Sequence, residues 1–344
     1  MLKWFEQVDT KRPVIVSSRV RLVRNWDQYA FPARLSPKES TEMIHRLEYG
    51  LRDLGTLDRK HYEFAKLEEL SELERKALWE RRVFNSTIAS KKMPTGILLS
   101  DEEDTGIVLN GTDHIRIQLL ASGFHIAELW KQADQLDDYI SERFSYAFDE
   151  KYGYLTSFPT NVGTGLRASM ILHLPLLSLG KKFGGLVAEM GRFGATVKGV
   201  YGEGSENYGA LYEVSNQKTL GLTEKEILEL VTKVALQLSA QETQVRQLSI
   251  EKHGLEAADE VYKSYGVMKY ARRLSEKDAM IFLSHLMRGF ADGLVKTAEP
   301  CPVYRLMLGM RPANLQKLSD RPLGKEELDM ARAAYLRAEL PELL

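Results

Sequence analysis

Arginines recur at alternate positions in short extended stretches, a spacing that suits a polyanion. "SSRVRLVR" at residues 17–24 follows Val14, Ile15 and Val16, β-branched residues that favour an extended chain. In a strand, Ser17, Arg19 and Arg21 then share one face, and Ser18, Val20 and Leu22 the other. "DHIRIQ" at 113–118 repeats the pattern, with His114, Arg116 and Gln118 opposite Asp113, Ile115 and Ile117. A glycine-rich turn, "TNVGTG", leads into a third such run: Arg167, Ser169, Ile171 and His173 on one face, Ala168, Met170, Leu172 and Leu174 on the other. Lys198 then opens "KGVYGEGSENYG", whose glycines let a loop close over a ligand. A lone arginine on a strand is ordinarily a solvated charge; three cationic strands in one sheet argue for a site. The guanidinium fork pairs with phosphate oxygens two at a time and keeps its charge, so a nucleoside triphosphate fits. The usual phosphate loops do not account for it. No GxxxxGK[ST] occurs, and "GTGLRA" opens a strand where a dinucleotide fingerprint must open a helix. His114 and His173 read as pocket-wall or core residues, and Asp113 as a structural acceptor at the strand start.

These stretches need a sheet. "SPKE" at 36–39 is a capping box with proline at the first helical position, and Met43, Ile44, Leu47, Leu51 and Leu54 follow at helical spacing. Ile126, Leu129, Ala133, Leu136, Ile140 and Phe144 mark a second helix, and "TEKE" at 223–226 opens a long third one. Strand-like runs lie between them: 96–101, 106–110, 113–119, 167–174 and 186–198. Short turns such as "DEEDTG" predict an α+β fold, an antiparallel sheet flanked by helices. Beyond residue 253 the periodicity is helical only, through "SEKDAMIFLSHLMRGFADGL" and "GKEELDMARAAYLRAEL". The expected division is residues 1–255 and a smaller all-α domain at 256–344, with the boundary between 250 and 265. With 47 basic and 48 acidic residues in 344, the overall charge points to neither nucleic acid nor an anionic membrane. The single cysteine, Cys301, forms no internal disulfide, and no long apolar run or signal-like amino terminus occurs. A cytoplasmic protein is expected.

"SSRVRLVRN", "DHIRIQ", "GYLTSFPTNVGTGLRASMILHLP" and "YGEGSENYGALYEVSNQKTLGLTEKEI" resemble, in order, the signature segments of the ATP:guanido phosphotransferases. The likeness is greatest to the McsB-type protein-arginine kinases, because the arginine motif begins almost at once. The resemblance implies ATP with Mg2+ and in-line transfer to a guanidinium nitrogen. By motif position it implies nucleotide contacts at Ser17, Ser18, Arg19, Val20 and Arg21, at Arg82 and Arg116, at Arg167, Ala168, Ser169, Met170 and Ile171, and at Lys198, Gly199, Val200, Tyr201, Gly202 and Glu203. No residue spacing suggests a protein-bound metal, so magnesium is expected with the nucleotide.

Departures from the family pattern fall at the acceptor. Where the family reads Asn-Glu-Glu-Asp-His, this chain reads Asn110, Gly111, Thr112, Asp113, His114. The cysteine before Pro-Thr-Asn is Phe158, which could stack on a guanidinium, and the arginine before the glycine loop is Lys198. Glu203 and Asp113 are the remaining candidates for the base. An Arg-Asp-x-x-Arg-Ala phosphoarginine motif is matched in part by Asp329, Arg332 and Ala333, with Leu328 in place of its first arginine. Two readings stay open: a protein-arginine kinase, or a pseudokinase that binds nucleotide or phosphoarginine as a regulator. The resemblance further implies protein substrates taken through arginine side chains, a Clp-type protease, an activating adaptor and a homodimer.

Overall fold

The computed structural model describes residues 2–201 and 206–344. Eight strands form one antiparallel sheet: β1 (Ile15–Arg24), β2 (Tyr62–Lys66), β3 (Gly96–Ser100), β4 (Thr105–Leu109), β5 (Ile115–Ser122), β8 (Leu166–His173), β9 (Ala195–Gly199) and β10 (Leu211–Asn216), in the order β2-β3-β4-β5-β1-β8-β10-β9. A two-stranded hairpin, β6 (Phe148–Asp149) with β7 (Gly153–Tyr154), stands apart from it. The helices are α1 (Pro37–Leu51), α2 (Gly55–Asp58), α3 (Glu72–Glu80), α4 (Ser86–Ala89), α5 (Ile126–Ser141), α6 (Phe183–Arg192), α7 (Glu224–Tyr270), α8 (Glu276–Ala291), α9 (Val303–Gly309), α10 (Pro312–Gln316) and α11 (Lys325–Glu339).

Strand alternation gives the sheet two unlike faces. Val20, Leu22, Ile115, Ile117, Ala168, Met170 and Val214 point to one side, where α1, α5 and α7 cover them in a single core. Those helices start as the sequence predicts. Ser36 caps α1 by accepting from the Glu39 N–H while Glu39 reaches back, and Thr223 and Glu226 repeat the device on α7. Arg19 and Arg21 of β1, Arg116 of β5 and Arg167 of β8 point to the other side. One end of that face is roofed by α8, α9 and α11, which pack Met280, Leu283, Leu306, Met307 and Leu336 onto Leu120, Ile171 and Leu211. The opposite end is roofed by Val83, Phe84 and Ile88 on Ile97 and Val108. Between these roofs the arginine face stays open.

Two expectations change. The run 186–198 is not one strand: Phe183, Leu186, Val187 and Met190 carry helical spacing in α6, and Gly194 at φ +90° ends it before β9. The edge strand β2 was not foreseen, because its residues lie at the margin of the sheet and only partly bury. α7 spans Glu224–Tyr270 with a kink at His253 (φ −139°, ψ 34°), where two helical segments meet at the residue beyond which the texture of the sequence changes.

Candidate active site

Arg21 of β1 lies opposite Gln118 of β5 and Arg167 of β8, and Arg19 lies opposite Ser169, so register alone gathers the cations. Arg19 Nε donates to Ser169 Oγ at 3.1 Å, and its Nη2 meets Glu213 Oε1 of β10 at 2.8 Å. The second oxygen of Glu213 accepts from Arg82, which follows α3 in the left-handed region at φ +70°. That turn is pinned to the sheet. Gln118 Nε2 donates to the carbonyls of Arg82 and Val83 at 2.8 and 2.9 Å, while Gln118 Oε1 accepts from Arg116 at 3.1 Å. The cavity so formed measures about 580 Å³. Arg19, Arg21, Arg82, Arg116 and Lys198 line it, together with Gly199, Val200 and Tyr201, and Trp79 and Phe84 supply aromatic wall.

The charge here is unbalanced. Burial, then the neighbouring arginines, lowers the pKa of Arg21 well below its usual value, and that of Arg116 falls to about 9 for the same reasons. Arg19 and Arg167 are also lowered, first by burial. Burial alone would raise the Glu213 carboxyl, but Arg19 and Arg82 draw it down to about 2. Glu80, the other carboxylate on the cavity wall among the described residues, is engaged by the N–H groups of Ala313 and Asn314. Among the described residues, the Nε atoms of Arg21 and Arg167 are buried without a hydrogen-bond partner. Arginine keeps its proton at neutral pH, so this arrangement favours an incoming polyanion. Among the described residues no group of three or more His, Cys, Asp or Glu could hold a metal ion.

Alternation narrows the nucleotide segments expected from sequence. Ser18, Val20, Ala168 and Met170 belong to the covered face: Ser18 Oγ donates to Gly123 O at 2.7 Å, and the other three lie in the core. Ile171 packs under the C-terminal helices, and Ser17 is buried at the end of the arginine face. Arg24, last in the opening motif, also faces the helices. It pairs with Asp137 of α5 at 2.6 Å and stacks 3.6 Å from the Tyr154 ring. Gly202 and Glu203 lie outside the described residues.

Asp113 is fully buried, and its Oδ1 accepts from Asn25 Nδ2 at 2.8 Å and from Ser157 N at 2.7 Å. His114 Nδ1 accepts from the Trp26 N–H, and His173 lies between Ser284 and Arg246, so both are core residues. Phe158 is 51% exposed on its loop. Arg332 is buried in α11, where it donates to the carbonyls of Met310 and Leu274 and to Asp329, with Ala333 packed in the core beside it. Its guanidinium is thus occupied internally. Glu213 is one site residue that sequence reasoning missed. Its signal was a lone carboxylate on the polar alternation of "LYEVSN", legible only once that strand is paired with β8.

The family model for the ATP:guanido phosphotransferase C-terminal catalytic domain matches residues 44–245, and that for the protein-arginine kinase McsB C-terminal domain matches 255–343. The chain is 37% identical to the protein-arginine kinase of Halothermothrix orenii, over 98% of its own length and 96% of the relative's. It is also 37% identical to that of Bacillus subtilis, over 98% and 93%. Among solved structures it resembles a substrate-free duplicated taurocyamine kinase of Schistosoma mansoni (TM-score 0.60, 23% identity, covering 71% of this chain and 36% of that one). A lombricine kinase is similar in fold (TM-score 0.59, 22% identity, covering 73% and 70%). With the catalytic-domain model matching more than half of the chain and relatives 37% identical over 98% of it, the chain belongs to the ATP:guanido phosphotransferase family.

Proposed function

We propose that the protein transfers the γ-phosphoryl group of ATP to arginine side chains of protein substrates. The observation that carries this reading is the cavity lined by Arg19, Arg21, Arg82 and Arg116 around Glu213, with Arg167 paired opposite Arg21 on the neighbouring strand. In the proposed mechanism these guanidinium groups hold the phosphates and neutralise charge as the phosphoryl group moves, the step on which phosphoryl transfer mainly depends. Lys198, exposed at the mouth, adds a point charge. Mg2+ enters on the phosphate oxygens as part of the substrate, since both oxygens of Glu213 are already engaged by arginines. The acceptor guanidinium must lose a proton, and Glu203 and Asp113 are the proposed acceptors, with Glu203 favoured because Asp113 Oδ1 already accepts two hydrogen bonds. Recognition of phosphoarginine at Asp329, Arg332 and Ala333 would require Arg332 to leave Asp329.

The family reading extends to a phosphotransferase domain at 1–255 and a helical domain at 256–344. It also extends to a homodimer in the cytoplasm, an activating adaptor and a Clp-type protease that consumes marked proteins. Among the described residues no helix is long and apolar enough to cross a membrane.

The test is labelled ATP with magnesium and an arginine-rich, loosely folded protein such as casein, with nucleotide binding measured on the same sample. Acid-labile label located on arginine by mass spectrometry is the expected result. ATP binding without transfer would instead assign the regulatory reading, and absence of both would remove the nucleotide site.

A further inference from the structure

One wall of the cationic cavity comes from the far end of the chain. Arg311, between α9 and α10, lines the cavity beside Arg82 and Tyr201, with its Cζ 4.9 Å from the Tyr201 ring centroid. Its backbone is fixed. Pro312 opens α10, and the Glu80 carboxylate receives the N–H groups of Ala313 and Asn314 at 3.0 Å each. Arg81 Nη1 adds a bond to Asn314 Oδ1 at 2.9 Å. The side chain is less committed: one terminal nitrogen meets Glu276 at the start of α8, while Nε is buried without a partner among the described residues. A cation on a rigid turn, tethered through one nitrogen and facing a cavity of unbalanced arginines, gains more from a polyanion than from one half-buried carboxylate.

We propose that Arg311 is a nucleotide-phosphate ligand, exchanging Glu276 for a phosphate oxygen when ATP enters, so that the C-terminal helices supply part of the nucleotide site. This rests on reading the cavity as a nucleotide site. The opposing role is an ion pair that merely anchors α8 to the α9–α10 turn, and substitutions on the two sides of the pair separate the roles.

The experiment measures the affinities of ATP, ADP and adenosine for the full chain, its Arg311→Gln, Arg311→Lys and Glu276→Gln variants, with thermal melting of each. Arg311→Gln should weaken ATP and ADP by roughly tenfold to a hundredfold and leave adenosine unchanged. Glu276→Gln, which releases Arg311, should hold or tighten ATP. If Arg311→Gln and Glu276→Gln lower the melting temperature alike and leave ATP affinity intact, Arg311 is an anchor and the inference is overturned. Should Arg311→Gln fail to fold, Arg311→Lys decides: a several-fold loss for ATP supports the inference, and unchanged affinity overturns it. A wild-type chain that binds no nucleotide overturns the reading of the cavity and this inference together, a result distinct from intact binding by the variants.

Discussion

Glu213 takes one arginine on each oxygen, and its burial makes that geometry a pH-dependent part of the fold. Its carboxyl lies at about 2 in the folded protein against an ordinary 4.5. A depressed carboxyl contributes stability that is complete above the ordinary value and lost as pH falls toward the folded one. Denaturant unfolding should therefore show stability falling from about pH 4.5 to about 2, and Glu213→Gln should flatten that part of the curve. At neutral pH the same substitution strands Arg19 and Arg82, at a cost of about 3–5 kcal/mol. A cost under about 1 kcal/mol would mean the arginines repack without their carboxylate. At the acceptor side, Glu203→Gln should depress turnover by about a hundredfold or more with little change in ATP affinity. Gly111→Glu with Thr112→Glu should raise turnover. A Cβ at 111 would lie 3.3 Å from Val108 and 3.5 Å from Ile88, so the change requires Val108 to shift slightly. The arginines themselves were legible because a period of two is a local signal. Glu213 was not, because its role exists only across the β8–β10 pairing.

At the scale of elements, the glycine turn before β8 sets where Arg167 meets β1. Gly165 has φ +63°, and a Cβ there would lie 2.6 Å from both the Val23 carbonyl and Arg24 Nη1. Gly165→Ala should cost about 1–3 kcal/mol of stability in urea titration. A neutral result would show that the β1–β8 junction yields more than its contacts imply. Gln118 works differently, since its amide ties the Arg82–Val83 turn to the sheet through two hydrogen bonds while its oxygen accepts from Arg116. Gln118→Ala should therefore weaken ATP binding through a misplaced Arg82. Helices with caps and regular apolar spacing, such as α1 and α5, were readable from sequence. α6 was not, because "GLVAEMG" is short and apolar enough to pass for a strand until its glycine-bounded length is seen. β2 gave no alternation strong enough to find, since an edge strand buries little on either side.

Across the whole molecule, a buried polar chain joins sheet to helical end. Glu242 of α7 accepts the N–H groups of Leu176 and Leu177 and pairs with Arg246, which reaches His173 at the end of β8 and Asp292 beyond α8. Burial and then Arg246 push the pKa of His173 well down, which fits a neutral ring held by Ser284. Replacing Arg246 by Met leaves Glu242 buried without its cation, and calorimetry should record a loss of about 3–5 kcal/mol. The change in helical texture near residue 253 was visible in the sequence. That two helical segments meet there directly at a kink, His253, was not, because α7 is held by partners from β8, α8 and α11.

The open arginine face also has a consequence at the bench. Oxyanions of common buffers share the geometry of a nucleotide phosphate, so on the proposed reading of the cavity phosphate or sulfate in a purification buffer is expected to compete there with ATP. Melting temperature should then be higher in phosphate than in chloride at matched ionic strength, and the difference should shrink in Arg21→Ala. Apparent nucleotide affinities for this protein will depend on which salt dissolved it.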